Sequence, residues 1–108
     1  MMAGPVRCAV IGVGMMGAEH AAILAASPAA DLAVCCDTDP QVKARIPAGV
    51  RFTTDLDDAL SDPLLEAVFV CTPQAYHLAG VRAGIQRGLA VFCEKPIAHD
   101  LRAADEII

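Results

Sequence analysis

The chain has 108 residues, of which 56% are hydrophobic and 19% charged, and it contains no tryptophan; that length allows one compact domain at most. Eight Lys and Arg against thirteen Asp and Glu give a net charge of -5, and the basic residues stand singly at 7, 43, 45, 51, 82, 87, 95 and 102, so no patch is built to grip a phosphate backbone and no nucleic acid partner is expected. Mean hydropathy is +0.50, yet Gly, Pro or a charge interrupts every apolar run well before the roughly 20 residues a membrane helix needs, and no membrane partner is expected.

In chain order, Val6 to Ile11 is an apolar run interrupted only by Arg7, without polar alternation, and is expected to be a parallel strand covered on both faces. Met15 to Ala26 is Ala-rich and stops short of Pro28, as helices do before proline. Leu32 to Cys36 is a second apolar strand, Asp39 to about Ile46 a short helix, and Val50 to Thr53 a weaker strand. Thr54 is the expected cap of a helix to about Leu60, which places Asp55 and Asp57 in its first turn, where the helix dipole favours acid. Ala67 to Cys71 is the fourth strand. Tyr76 to Arg87 carries Leu78, Val81 and Ile85 at helical spacing and stops at Gly88. Leu89 to Cys93 is the fifth strand, and Asp100 can cap a last helix from Leu101.

This alternation predicts an α/β fold: a doubly wound parallel sheet of five strands in order 3-2-1-4-5, with right-handed crossovers. Residues 1–108 are read as one such domain without an internal linker. Ligands of these sheets bind outside the carboxyl ends of the strands, where the winding reverses. The five cysteines, at 8, 35, 36, 71 and 93, form no C-x-x-C pair and each lies in an apolar run, so they read as buried hydrophobic thiols, with no disulfide framework and no metal site. Met1 to Val6 lacks the basic start, apolar stretch and cleavage site of a secretory signal, which favours a cytoplasmic location.

Gly12-Val13-Gly14-Met15-Met16-Gly17 is a G-x-G-x-x-G between the first strand and the first helix. Gly12 permits the tight turn, Gly14 leaves room for a pyrophosphate, and Gly17 lets helix and strand approach. The N–H groups at the helix start, around Met15 and Met16, face the anion. Twenty residues beyond Gly17, Asp37 ends the second strand, placed to accept hydrogen bonds from an adenosine ribose. Its carboxylate would repel a 2′-phosphate, so NAD is expected over NADP; Lys43 and Arg45 are near enough in sequence to swing back and keep NADP in play. No Ser/His/Asp or paired-carboxylate arrangement supports hydrolysis.

Two further segments fall on the same edge: Thr72-Pro73-Gln74-Ala75-Tyr76-His77 after the fourth strand, and Glu94-Lys95-Pro96 after the fifth. A G-x-G-x-x-G-x-x-H from Gly12 to His20, a T-P-x-x-x-H from Thr72 to His77 and an E-K-P from Glu94 to Pro96 together resemble the N-terminal half of the glucose-fructose oxidoreductase and inositol dehydrogenase family, over essentially the whole chain. The family commonly has Asn where Gln74 stands. The resemblance implies an NAD(P)-dependent oxidoreductase of sugars, cyclitols or related hydroxy and carbonyl compounds. It implies cofactor contacts from Thr72, Pro73, His77, Glu94 and Lys95, and a catalytic Lys95 beside nicotinamide and substrate. Lys95 is also the one lysine on the ligand edge next to the expected nicotinamide, where an ammonium favours developing alkoxide charge. His20 and His99 read as structural and exposed, respectively.

In this family a second, mainly β-sheet domain supplies an Asp/His pair and the substrate pocket, and carries the homo-oligomer contacts. The sequence ends before such a domain and before the last strand of the sheet, so the chain is expected to be the cofactor-binding part of a longer enzyme, binding dinucleotide without turnover. The alternative is a free-standing dinucleotide sensor, in which the E-K-P would be idle.

Overall fold

The computed structural model describes residues 4–72 and 77–93, with only the backbone of His77. The expected helix from Leu101 lies outside them. The elements are β1 (Val6–Ile11), α1 (Met15–Ala26), β2 (Ala30–Cys36), a 3-10 helix (Pro40–Arg45), β3 (Arg51–Thr53), α2 (Leu56–Ala59), β4 (Ala67–Val70), α3 (His77–Gln86) and β5 (Ala90–Cys93). All strand pairs are parallel and the order is β3-β2-β1-β4-β5, as the alternation of apolar runs and helices predicts. The β1 to β2 pairing steps from Cys8↔Leu32 to Ala9↔Val34, so Ala33 is skipped.

Local chemistry sets most boundaries. α1 closes on Ser27, whose N–H donates to the Leu24 carbonyl, and Pro28 prevents another turn. Gly88 has φ +73 and ends the turn after α3 in the left-handed region that glycine adopts without strain. The cap of α2 differs from expectation. Asp55, not Thr54, is the N-cap: its Oδ1 accepts from Asp57 N–H at 3.0 Å, which puts Asp57 and Asp58 in the first turn. A carboxylate is a stronger acceptor than a hydroxyl here, and the Asp55 N–H is itself held by Thr53 Oγ1 at 3.2 Å, which fixes the entry one residue later.

Because strand side chains alternate, the sheet buries two cores. On one face Ala9, Ile11, Val34, Cys36, Val68 and Val70 pack with residues of α2 and α3. On the other, Cys8, Val10, Leu32, Cys35 and Ala67 pack with Val13, Ala21 of α1 and Val42 of the 3-10 helix. Coverage is complete over Cys8 to Ile11 of β1 and incomplete at β5. There Phe92 is 53% exposed and stacks on Phe69 with centroids 4.9 Å apart, so the expectation of strands covered on both faces fails at this edge among the described residues. The reading of the cysteines as buried hydrophobes holds for Cys8, Cys35 and Cys36, which lie in the core, while Cys71 and Cys93 are half-buried. None of the five forms a disulfide, and burial pushes the Cys35 thiol up to about 12 and the Cys36 thiol up to about 11, so both stay neutral.

At the amino edge of the sheet Arg7 is the centre of a closed set of charges. Its Nε donates to Asp62 Oδ2 at 2.6 Å, its NH1 to Asp31 Oδ2 at 2.8 Å and its backbone N–H to Glu66 Oε2 at 3.1 Å. The Leu64 N–H and the Arg7 guanidinium together hold the Asp62 carboxyl below the usual carboxylate range.

Candidate functional site

The sheet's hydrogen bonding runs one residue past its strands at the carboxyl edge. Gly12 N–H donates to Cys36 O at 2.7 Å, Cys71 N–H to Ile11 O at 2.7 Å and Asp37 N–H to Thr53 O at 3.2 Å. Gly12, Asp37 and Thr72 are therefore presented from neighbouring strand ends on one rim. Gly12 has φ +90, and a Cβ there would stand 2.6 Å from Thr72 N, so both conformation and space require glycine. A Cβ on Gly17 would overlap the Gly12 carbonyl oxygen, because the first turn of α1 rests directly on the loop.

Gly14 is different. It is the N-cap of α1, and among the described residues a Cβ built on it meets no atom within 4 Å, so they leave the space in front of it open. No side chain caps this helix start. The first helical bond is Ala18 N–H to Gly14 O at 2.8 Å, which leaves the N–H groups of Met15, Met16 and Gly17 without an intrahelical acceptor. The side chains of Met15 and Met16 are exposed, so these two residues offer the site their backbone N–H groups. Free donors at the positive end of a helix, with open space before them, make an anion site.

Asp37 faces this loop. Its Oδ2 accepts from Val13 N–H at 2.8 Å and its Oδ1 from Asp39 N–H at 2.9 Å, while Asp39 in turn caps the 3-10 helix through Gln41 N–H at 2.9 Å. An ionised carboxylate has about four acceptor positions. Two are taken by backbone, and the half-buried side chain keeps capacity for hydroxyl donors. From the 3-10 helix, Arg45 NH1 donates to Val13 O at 3.3 Å. The sequence places Arg45 only as a residue able to swing toward a phosphate; its contact with the loop carbonyl is set by the path of the 3-10 helix, for which no short-range signal exists.

Thr72 Oγ1 is buried, and it is the one buried side-chain polar atom among the described residues with no hydrogen-bond partner. Leaving such a group unsatisfied costs about 1–3 kcal/mol, so a hydroxyl lodged beside the Gly12 turn favours a ligand that can pair with it. With the open cradle at Gly14, it shows that the residues present fit a dinucleotide. Of the other expected site residues, Pro73, Glu94, Lys95 and the side chain of His77 lie outside the described residues, as does His99; His20 is half-buried on α1.

A winding reversal between β1 and β4, with the glycine turn at one strand end and a carboxylate at the next, defines a dinucleotide-binding domain of the Rossmann class. Comparison with known proteins narrows the class. Residues 6–108 match the family described as an oxidoreductase family with an NAD-binding Rossmann fold, and the chain belongs to that family. It is 40% identical over 107 residues to inositol 2-dehydrogenase of Rhodococcus jostii (strain RHA1), covering 94% of this chain and 29% of that protein. The crystal structure of GenD2 from gentamicin A biosynthesis in complex with NAD superposes with a TM-score of 0.90 at 36% identity, covering 99% of this chain and 31% of that one. Myo-inositol 2-dehydrogenase from Lactobacillus plantarum gives a TM-score of 0.85 at 31% identity, over 95% of this chain and 32% of that one. The chain thus spans about 30% of the length of these relatives. Among the described residues no helix is long and apolar enough to cross a membrane.

Proposed function

We propose that this chain is the cofactor-binding part of an oxidoreductase that transfers hydride between a nicotinamide dinucleotide and a sugar, cyclitol or related hydroxy or carbonyl compound. The observation that carries the reading is the pairing of Asp37 with the glycine loop, which sets a carboxylate against the loop that leads into the helix start at Gly14. Likeness to an inositol 2-dehydrogenase supports the cyclitol or sugar class of substrate. Gly12, Gly14, Met15, Met16 and Gly17 would hold the pyrophosphate, Asp37 the adenosine ribose, and Thr72, with Pro73, His77 and Glu94, the nicotinamide side. When bound, the nicotinamide supplies or accepts the hydride.

Asp37 favours NAD over NADP because a 2′-phosphate would meet an ionised carboxylate whose Oδ atoms already take two backbone N–H groups. Lys95, the catalytic residue of this proposal, would donate to a substrate or ribose hydroxyl and stabilise charge that develops on oxygen. The proton acceptor and the substrate pocket would come from a second domain in the part of the relatives this chain does not span, and homo-oligomer contacts from the same part. Five cysteines that form no disulfide, two of them held neutral by burial, suit a reducing, cytoplasmic setting.

Two measurements test the proposal together. Calorimetry on the 108-residue chain is expected to show NAD binding more tightly than NADP, and equal or tighter NADP binding would overturn the cofactor assignment. With NAD and a panel of cyclitols and sugars, absorbance of the reduced nicotinamide is expected to stay at background, since a positioned proton acceptor is worth about 10²–10⁴-fold and substrate positioning several kcal/mol more. Robust reduction by this chain alone would refute the need for a second domain.

A further inference from the structure

The two peptide groups that flank Val13 are each held by a different side chain. Gly12 and Val13 share one: its N–H end is taken by Asp37 Oδ2 at 2.8 Å, so its C=O end, on Gly12, points the opposite way, toward Gly17. Val13 and Gly14 share the next: its C=O end accepts from Arg45 NH1 at 3.3 Å. A trans peptide is planar and its N–H lies opposite its C=O, so the contact with Arg45 turns the Gly14 N–H away from the guanidinium. Gly14 is also the N-cap of α1, and its conformation (φ -71, ψ -162) sets where the free N–H groups of Met15 and Met16 point. No side chain caps that helix start, so nothing else on α1 itself fixes it.

We infer that Arg45 is a positioning residue for the pyrophosphate: by holding the Val13 carbonyl it presets the glycine loop in the orientation that receives the anion. This rests on reading the loop as a dinucleotide cradle. Arg45 is exposed and its side chain belongs to neither core, so its role is separable from folding. Its partner across the loop, Asp37, holds the preceding peptide from the ribose side, and the two act on consecutive peptides of one turn.

The test compares ligands that contain the pyrophosphate with one that lacks it. Titration of the protein with ADP, NAD, NADP and adenosine is expected to give about tenfold weaker binding of ADP, NAD and NADP to Arg45→Ala, the low end of a hydrogen bond from a charged donor, with adenosine affinity and Tm unchanged. Arg45→Lys, which keeps a cationic donor, is expected to recover part of the loss. Equal affinities for variant and parent would overturn the inference. So would a parallel loss for adenosine, which would put Arg45 in the adenosine pocket, or a loss confined to NADP, which would make it a 2′-phosphate ligand. A parent protein that binds adenosine but neither ADP nor NAD would remove the dinucleotide reading and this inference with it, whereas normal binding by the parent and by Arg45→Ala removes this inference alone.

Discussion

The amino edge and the carboxyl edge of the same sheet both carry charged residues at strand ends, and they satisfy them differently. At the amino edge, the Arg7 guanidinium is answered by the carboxylates of Asp31 and Asp62, and its backbone N–H by Glu66, so the charged side chains are paired within the protein. At the carboxyl edge, Asp37 is answered by backbone N–H groups of two loops, Thr72 Oγ1 by nothing among the described residues, and the N–H groups of Met15 and Met16 have no acceptor within their own helix. The first arrangement can only stabilise the fold. The second leaves donors and acceptors aimed outward at a fixed geometry, which is what a ligand recognises and what folding alone has no reason to keep.

Substitutions that mix the two roles break this contrast most strongly. Gly17→Ala drives a Cβ into the Gly12 carbonyl oxygen, a backbone atom that no rotamer can move aside. Thermal or urea unfolding is expected to show a loss of about 3 kcal/mol or more, with dinucleotide binding lost as a consequence. Gly14→Val belongs to the ligand edge alone: among the described residues the new side chain meets no atom near its Cβ, so Tm is expected to hold while NAD titration falls below detection, because the branches would occupy the space a pyrophosphate needs. Unchanged NAD binding by this variant would show the cradle to be misplaced.

Asp37→Ala lies between these two. It removes the acceptor for Val13 N–H as well as the ribose partner, so calorimetry should show weaker NAD binding and an eroded preference over NADP, by about 1.5–3 kcal/mol for each lost hydrogen bond to the charged group. The smallest effect belongs to the amino edge. Asp62 titrates below its ordinary value in the folded chain because of the Leu64 N–H and Arg7. Its contribution to stability is therefore complete above the unfolded carboxyl pKa, about 3.9, and lost as pH falls through the lowered folded value. Asp62→Asn is expected to lower Tm slightly at pH 7 and to flatten the acid limb of stability below about pH 4, with NAD affinity untouched. A change in NAD affinity would show that the two edges are coupled.

Much of this contrast is legible in the sequence. β1 and α1 coincide with the apolar run and the Ala-rich stretch that mark them, because a continuous apolar run and a following proline are local signals. Asp37 is legible through its distance from Gly17. What cannot be read are contacts between residues far apart in sequence: Arg7 with Asp62, Arg45 with Val13, and the Asp37 carboxylate's grip on the loop. Nor does the pattern reveal that the described residues leave the Phe92 flank of β5 exposed, since Phe69 and Phe92 look like core residues until it is known which strands the described helices cover. The cap of α2 moved from Thr54 to Asp55 because a short polar run, Thr53-Thr54-Asp55, offers several acceptors and only geometry selects among them.

The skipped residue in β2 decides on which side of the sheet the acid falls. Ala30 and Leu32 point to the α1 face, Ala33 and Val34 both point to the α2 and α3 face, and Cys35 and Cys36 then resume the alternation. The extra residue thus inverts the parity of everything after it. Under uninterrupted alternation from Leu32, Cys36 would take the α1 face and Asp37 the opposite one, away from Val13. With the inversion, Asp37 follows Cys35 onto the α1 side and its carboxylate meets the glycine loop. Deleting Ala33 would therefore remove only the surplus residue and leave Val34 to Asp37 on their present faces, whereas pairing the strand without the irregularity while keeping Ala33 would exchange the two cores at its end and turn the Asp37 carboxylate away from the glycine loop.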